Sequence, residues 1–232
     1  MNVLEILPIR DRFPKFWGVV QATHKNMQQG HDIYHVQRVE FWAQQIAMAE
    51  WKSERIAILA GLAADCHNID RILQKDVGND NVTNEMISDL AKTWLSYTDC
   101  TEQELRIVVE AVIVHSGKNS PEHSNVTLAL RDADRVVNLE IDVVIRSGQF
   151  YSDLPAVDYV NFLSDPEASY KKPKSCLYDI SQSLEWVDPS SPFCVQTKLG
   201  ALLAGVRARA LEGYIEILKQ QLETSGLIKN AK

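Results

Sequence analysis

The stretch that most constrains this chain is SERIAILAGLAADCHNID, residues 53–70, because it is apolar almost all round. Such a pattern predicts a helix in the middle of a fold. Ser53 is the predicted N-cap, and Glu54 suits the positive end of the helix dipole. The apolar line continues at helical spacing to His67, so we expect this imidazole to point inward. An inward ring needs partners for its nitrogens, either hydrogen-bond acceptors or a metal.

The composition is that of an ordinary soluble globular protein, with 45% hydrophobic and 24% charged residues in a chain of 232. No apolar run reaches the roughly 18–20 residues of a membrane span, and the start MNVLEILPIRDRF lacks the features of a signal peptide. The four cysteines form no CxxC pair, which predicts thiols in a reducing compartment. We therefore expect a cytoplasmic protein without a membrane partner.

Three more polar residues fall on predicted inward faces of helices. His35 begins a helix that Asp32 can cap, and it stands one turn before apolar positions. The TEQE sequence at 101–104 is a capping box, and the helix it opens carries His115 on its apolar line. Asp134 lies on the apolar line of a helix that begins near Ser124. The sequence thus predicts four inward polar groups on four helices.

An inward carboxylate such as Asp134 is expensive unless a cation, an arginine or several donors accompany it. Asp132 lies about 200° away by the helical repeat, so we expect it to be solvated. Two neutral imidazoles and a carboxylate form a good ligand set for a divalent transition metal and leave positions open for water and substrate. His35, His67 and Asp134 are therefore the candidate ligands.

The C-terminal part differs in character from the rest. Residues 150–192 contain five prolines, which predicts an irregular excursion with short helical pieces such as 177–187. It is either a surface connection or a lid over a pocket. Pro192 then opens a predicted long helix, about 193–224. Its expected inward residues are Leu199, Leu202, Val206, Ala210 and Ile217. We find no convincing strand and predict one all-α domain over 1–232.

Four segments together resemble the successive motifs of the HD-domain superfamily of metal-dependent phosphohydrolases: GHDIYHVQRV from Gly30, CHNID, IVHSGK and RDADRV. They cover residues 30 to about 140, and the resemblance implies an HD-like all-α bundle with a core at about 30–147. It also implies metal ligands at His35, at His67 with position 68, and at Asp134. By the same resemblance, His115 lies near the substrate phosphate or the metal water, and Arg38 is a structural or anion-binding neighbour.

One departure from the motif affects the metal site. The second residue of the His-Asp pair is Asn68 here, and an amide oxygen can ligate a cation but brings no charge. The interpretation is a weaker, mononuclear site, which argues against the branch that requires two irons. Asp70 could act as the general base or support the ligands from behind. Alternatively, it is a residue at the C-terminal end of the helix in a salt bridge with Arg71 or Lys75, and the spacing does not decide between these interpretations.

The function predicted from these residues is hydrolysis of a small phosphate ester or nucleotide with one divalent metal: Mn, Fe, Mg, Ni, Co or Zn. Arg38, or else Lys118, would hold the phosphate, with Arg71 and Arg135 as further candidates, and Asp70 would deprotonate the water. The competing hypothesis is a binding protein that holds a nucleotide or protein partner without turnover. A third is a purely structural helical scaffold.

The predicted partner is a small phosphorylated molecule. The net charge of −7 argues against a large nucleic-acid ligand. The oligomeric state is left open, with a homodimer as one option.

Overall fold

The computed structural model describes residues 6–25, 27, 31–78, 81–170 and 172–228, so Gly30 lies outside the described residues. Their helices are α1 Ile9–Arg12, α2 Pro14–His24, α3 Ile33–Trp51, α4 Glu54–Cys66, α5 Ile69–Val77, α6 Asn84–Leu95, α7 Glu102–Val114, α8 Asn125–Val137, α9 Val143–Phe150, α10 Cys176–Gln182 and α11 Lys198–Thr224. A 3₁₀ helix, Ser183–Val187, follows α10. No described residue belongs to a β-strand, which confirms the all-α prediction. No described helix has the length and apolar character of a membrane span.

Helix α4 is the centre of the molecule, as its sequence predicts. Every residue from Ala57 to Cys66 is buried, and α4 packs against α3, α7 and α8. The Ser53 hydroxyl caps it by accepting the Ile56 N–H at 3.3 Å. However, the helix does not run to residue 70: it ends at Cys66, and α5 begins at Ile69. The predicted single helix therefore breaks at His67 and Asn68.

The predicted caps of α3 and α7 are present, and α8 begins where it was predicted to begin, near Ser124. Asp32 accepts the His35 N–H at 2.9 Å and opens α3. Thr101 and Glu104 form the complete capping box of α7. The Ser124 hydroxyl accepts the Thr127 N–H at 3.1 Å and opens α8. These caps fix where the helices that carry His35, His115 and Asp134 begin.

The C-terminal part adds a second apolar cluster to the core. Helices α10 and α11 and the 3₁₀ helix supply most of it, and Val136 and Leu139 connect it to the end of α8. Between α9 and α10, the described residues 151–170 and 172–175 form no helix, and an isolated bridge pairs Ser169 with Lys172. Whether this segment acts as a lid stays a prediction.

The predicted start of the last helix and most of its predicted inner face are wrong, although Leu199 is partly buried against the core as expected. α11 begins at Lys198, because Asp132 of α8 accepts the N–H groups of Gln196 and Thr197 and holds this segment outside the helix. Leu202, Val206 and Ile217 are more than half exposed, and Ala210 is also exposed. The buried face is instead formed by Ala204, Ala208, Leu211, Ile215 and Leu222. The neighbouring helices select this face, and their positions are not readable from the local pattern.

Candidate metal centre

Two imidazoles and a carboxylate converge in the middle of the bundle. His35 Nε2 lies 3.2 Å from His67 Nε2 and 3.3 Å from Asp134 Oδ1. The third side of the triangle, from His67 Nε2 to Asp134 Oδ1, measures 3.9 Å. Atoms that share one cation through bonds of about 2.0–2.2 Å lie roughly 3–3.5 Å apart. Two of the three distances lie in this range and the third is about 0.4 Å longer, so the three side chains could hold a divalent transition metal, and we refer to them as the metal triad.

Three helices place the triad. His35 stands in the first turn of α3, where the Asp32 cap fixes its backbone. His67 is the C-cap of α4, and Asp134 lies one turn before the end of α8. Asn138 Nδ2 donates to Asp134 Oδ1 at 2.9 Å and so holds the carboxylate. Since α3, α4 and α8 pack against one another, core packing determines the spacing of the ligands.

The protonation states suit metal binding. His67 Nδ1 donates to the Ala64 carbonyl oxygen at 2.5 Å, so in the neutral ring Nε2 keeps its lone pair for the triad. Burial lowers the pKa of His67 well below its usual value, although Asp134 opposes this. For Asp134, burial alone would raise the pKa, but the hydrogen bond from His35 and the charge interactions with the neighbouring imidazoles keep it lowered. A neutral imidazole at His67 and an ionised carboxylate at Asp134 are ligand forms that metals require.

His115 lies beside the triad. It is the C-cap of α7, and its ring stands edge-on to His67 with 5.6 Å between the ring centroids. Its Nδ1 donates to the Val112 carbonyl at 2.7 Å, so in the neutral ring Nε2 is an acceptor. The structure therefore places His115 next to His67 but outside the triad.

Asn68 is 3% exposed and follows His67 at the break between α4 and α5. Its Nδ2 is buried without a hydrogen-bond partner among the described residues. Its role as a ligand stays a prediction.

Asp70, in the first turn of α5, accepts the Arg71 N–H at 2.7 Å, and its Oδ2 lies 3.8 Å from Arg71 Nε. The contact with Arg71 anticipated from the sequence is thus present but long, and Asp70 keeps an oxygen for other partners.

Arg38, the first candidate for holding a phosphate, is occupied by carboxylates. Its Nη1 donates to Glu140 Oε2 at 2.6 Å and to Asp142 Oδ2 at 2.8 Å, so its charge is already balanced. This geometry supports the structural alternative for Arg38. Lys118 is exposed just beyond the end of α7.

Two other polar residues of RDADRV differ from expectation. Arg135 is buried and donates to the carbonyl of Cys194, so it holds backbone instead of a ligand. Asp132 is only 1% exposed, so its predicted solvation is wrong. It accepts two backbone N–H groups from the segment before α11, which covers the helix face that the periodicity assigns to solvent.

The sequence analysis missed His31 as a neighbour of the site. Its ring lies edge-on to the ring of His35, with 5.8 Å between the ring centroids. It also lies edge-on to the ring of Phe150, with 5.5 Å between the centroids. Burial, together with nearby His35, lowers the pKa of His31 to about 3. The signal in the sequence was the spacing of four residues from His35, although His31 itself precedes the helix cap.

Two solved structures resemble the whole chain in fold. An HD-superfamily hydrolase from Bacillus thuringiensis aligns with a TM-score of 0.62 and 20% identity over 93% of this chain and 98% of its own. A protein from Lactobacillus plantarum aligns with a TM-score of 0.63 and 13% identity over 96% of this chain and 100% of its own. No protein-family model matches the sequence, and a search of curated proteins finds no significant match. The chain therefore shares the all-α fold of these two structures, and it carries a His-His-Asp cluster that could hold a metal.

Proposed function

We propose that this chain is a metal-dependent phosphohydrolase that acts on a small phosphate ester or nucleotide. The observation that carries the proposal is the triad, whose three ligand atoms lie within 4.8 Å of one another. Two neutral nitrogens and one carboxylate leave coordination positions for water and substrate. The Bacillus thuringiensis neighbour, an HD-superfamily hydrolase, supports the same class of reaction.

The chemistry that a divalent cation supplies at such a site is stabilisation of phosphoryl charge and a lower pKa for water. His35 and His67 would hold the cation through nitrogen, and Asp134 would provide the formal negative charge that Asn68 cannot. His115 Nε2, left as an acceptor by the Nδ1 bond to Val112, would orient the attacking water. Asp70 would take the proton from that water through Oδ2, since Oδ1 accepts the Arg71 N–H and Oδ2 lies 3.8 Å from Arg71 Nε.

One observation favours the alternative of a binding protein without turnover. The amide of Asn68 is buried beside His67 with an Nδ2 that has no partner in the described chain. A buried unpaired donor is costly, and a ligand oxygen would satisfy it. Such a donor serves recognition of an anionic ligand and does nothing to strengthen a metal site.

Metal analysis and a phosphatase screen separate the two functions. Purified protein is loaded with Mn, Mg, Ni or Co and assayed with nucleotides and small phosphate esters. We expect about one metal ion per chain and turnover that disappears in His67→Ala. The matched control is His123→Ala, which removes a half-buried histidine of the loop before α8 and should change neither result. Metal binding without turnover supports the binding protein, and equal metal content in His67→Ala refutes the site.

A further inference from the structure

Arg131 is a charged side chain that lies inside the protein. It is 1% exposed and makes no ion pair with any residue of the described chain. Its Nη1 donates to the Val114 carbonyl at 2.8 Å. Its Nη2 donates to the Gly117 carbonyl at 2.6 Å and to Asn119 Oδ1 at 2.9 Å. Burial, with the neighbouring Arg135, lowers the pKa of Arg131 to about 10, which still leaves it charged near neutral pH.

The two carbonyls that Arg131 holds lie on either side of His115 in the chain. Val114 is the last residue of α7, and Gly117 follows His115 by two positions. The His115 ring is fixed separately, by the bond from its Nδ1 to Val112. The backbone and the ring of His115 are thus both held. Arg131 binds the carbonyls on both sides of His115, and Arg135 Nη2 adds a longer bond of 3.4 Å to the Gly117 carbonyl.

The same helix supplies one metal ligand. Arg131 precedes Asp134 by three residues on α8, so the two side chains share a rigid element. We propose that Arg131 is a positioning residue, which holds His115 at a fixed place relative to the metal triad by binding the backbone on both sides of it. This inference rests on the proposed function only where it assigns His115 a part in turnover.

The chemistry explains why the position carries arginine. A buried cation without a carboxylate partner is costly, and here backbone carbonyls at the negative end of α7 stabilise it. The planar guanidinium can reach two carbonyls and Asn119 at once through a fixed fork of donors. A lysine ammonium keeps the charge but concentrates its donors at one point. Arg131→Lys should therefore retain part of the effect, while Arg131→Met should remove it.

The first test is spectroscopic and needs no turnover. Long-range ¹⁵N NMR spectra of the metal-free protein report the imidazole nitrogens, and His115→Gln identifies the signals of His115. We expect Arg131→Met to shift or broaden the His115 signals and to leave those of His123 in place. Arg131→Lys should give an intermediate shift, and it serves as the test variant if Arg131→Met does not fold. The matched control is Arg207→Met. Arg207, on α11, donates to the Val136 carbonyl of α8 at 2.6 Å, and removing this bond should leave the His115 signals unchanged.

The second test is a double-mutant cycle in kcat. We expect Arg131→Met to lower kcat at least about tenfold, with a smaller effect on KM, because a misplaced catalytic group costs transition-state stabilisation. In the His115→Gln background the same change should lower kcat less than about twofold. A full additional loss there, or unshifted His115 signals in Arg131→Met, would overturn the inference. If the wild-type protein hydrolyses none of the substrates but Arg131→Met still shifts the His115 signals, the proposed function is refuted and the positioning role of Arg131 is supported.

Discussion

At the scale of single residues, we expect position 68 to affect how strongly the proposed site binds metal. We expect Asn68→Asp to tighten binding of Mn or Co at least about tenfold, roughly 1.4 kcal/mol, because a second carboxylate is added beside His67. Isothermal titration with the metal alone measures this change. Asn125→Asp adds the same charge at an exposed position of α8 and is the control. Equal affinities for wild type and Asn68→Asp would mean that position 68 does not face the cation.

A second residue-scale prediction concerns Glu40, a buried carboxyl in α3 away from the triad. Burial raises the pKa of Glu40 to about 7 from 4.5, although it accepts the Ile9 N–H at 2.8 Å. Because its folded-state pKa is raised, its contribution to stability is complete below about pH 4.5 and is lost as the pH rises through about 7.

Glu40→Gln keeps an acceptor for Ile9 and removes the titration. We therefore expect a smaller fall in the free energy of unfolding between pH 5 and pH 8, and a gain at pH 8 of at most roughly 3 kcal/mol. Urea unfolding at several pH values measures both effects. Glu110→Gln, at an exposed position of α7, should reproduce the wild-type slope. An unchanged slope in Glu40→Gln would mean that this carboxyl is ionised in the folded protein.

At the scale of helices, the contact between α1 and α4 depends on a glycine. A Cβ atom at Gly61 would lie 2.8 Å from Ile9 Cγ1 and 3.1 Å from Gln44 Nε2. We expect Gly61→Ala to destabilise the fold by about 1–3 kcal/mol, although alanine is the better helix former. Gly213→Ala in α11, where nothing lies within 4 Å of the added atom, should instead be neutral or stabilising by up to about 1 kcal/mol. Thermal unfolding compares the two, and equal shifts would contradict the packing argument.

The helices also show which features a sequence can reveal. The caps at Ser53 and Thr101 and the start of α8 near Ser124 were predicted, because a cap is a hydrogen bond between residues three apart. The start of α11 was not, because it depends on Asp132, which lies 64 residues before Gln196 in the chain. The sequence likewise could not decide whether Arg38 is structural or binds an anion, because its partner Glu140 is 102 residues away in the chain.

At the scale of the whole molecule, the site is a product of packing between distant segments. The inward pattern and the motif resemblance predicted that His35, His67 and Asp134 meet, and the structure brings them together. Neither could supply the distances between them, because these follow from how α3, α4 and α8 pack. The environment of His31 and the buried fork of Arg131 also appear only after assembly, since both depend on contacts between helices.

Since one cation would connect α3, α4 and α8, its binding should stabilise the entire fold. The triad forms only in the folded chain, so bound metal shifts unfolding by mass action, by about 2.7 kcal/mol when free metal is 100 times its Kd. We expect Mn or Co to raise Tm by several degrees and a chelator to reverse the shift. At lower pH the increase should diminish, because protons compete with the metal for the imidazole nitrogens. His67→Ala should show no metal-dependent shift, whereas His123→Ala should show the full one. A rise in Tm that survives in His67→Ala would mean that the metal stabilises the protein from somewhere other than the triad.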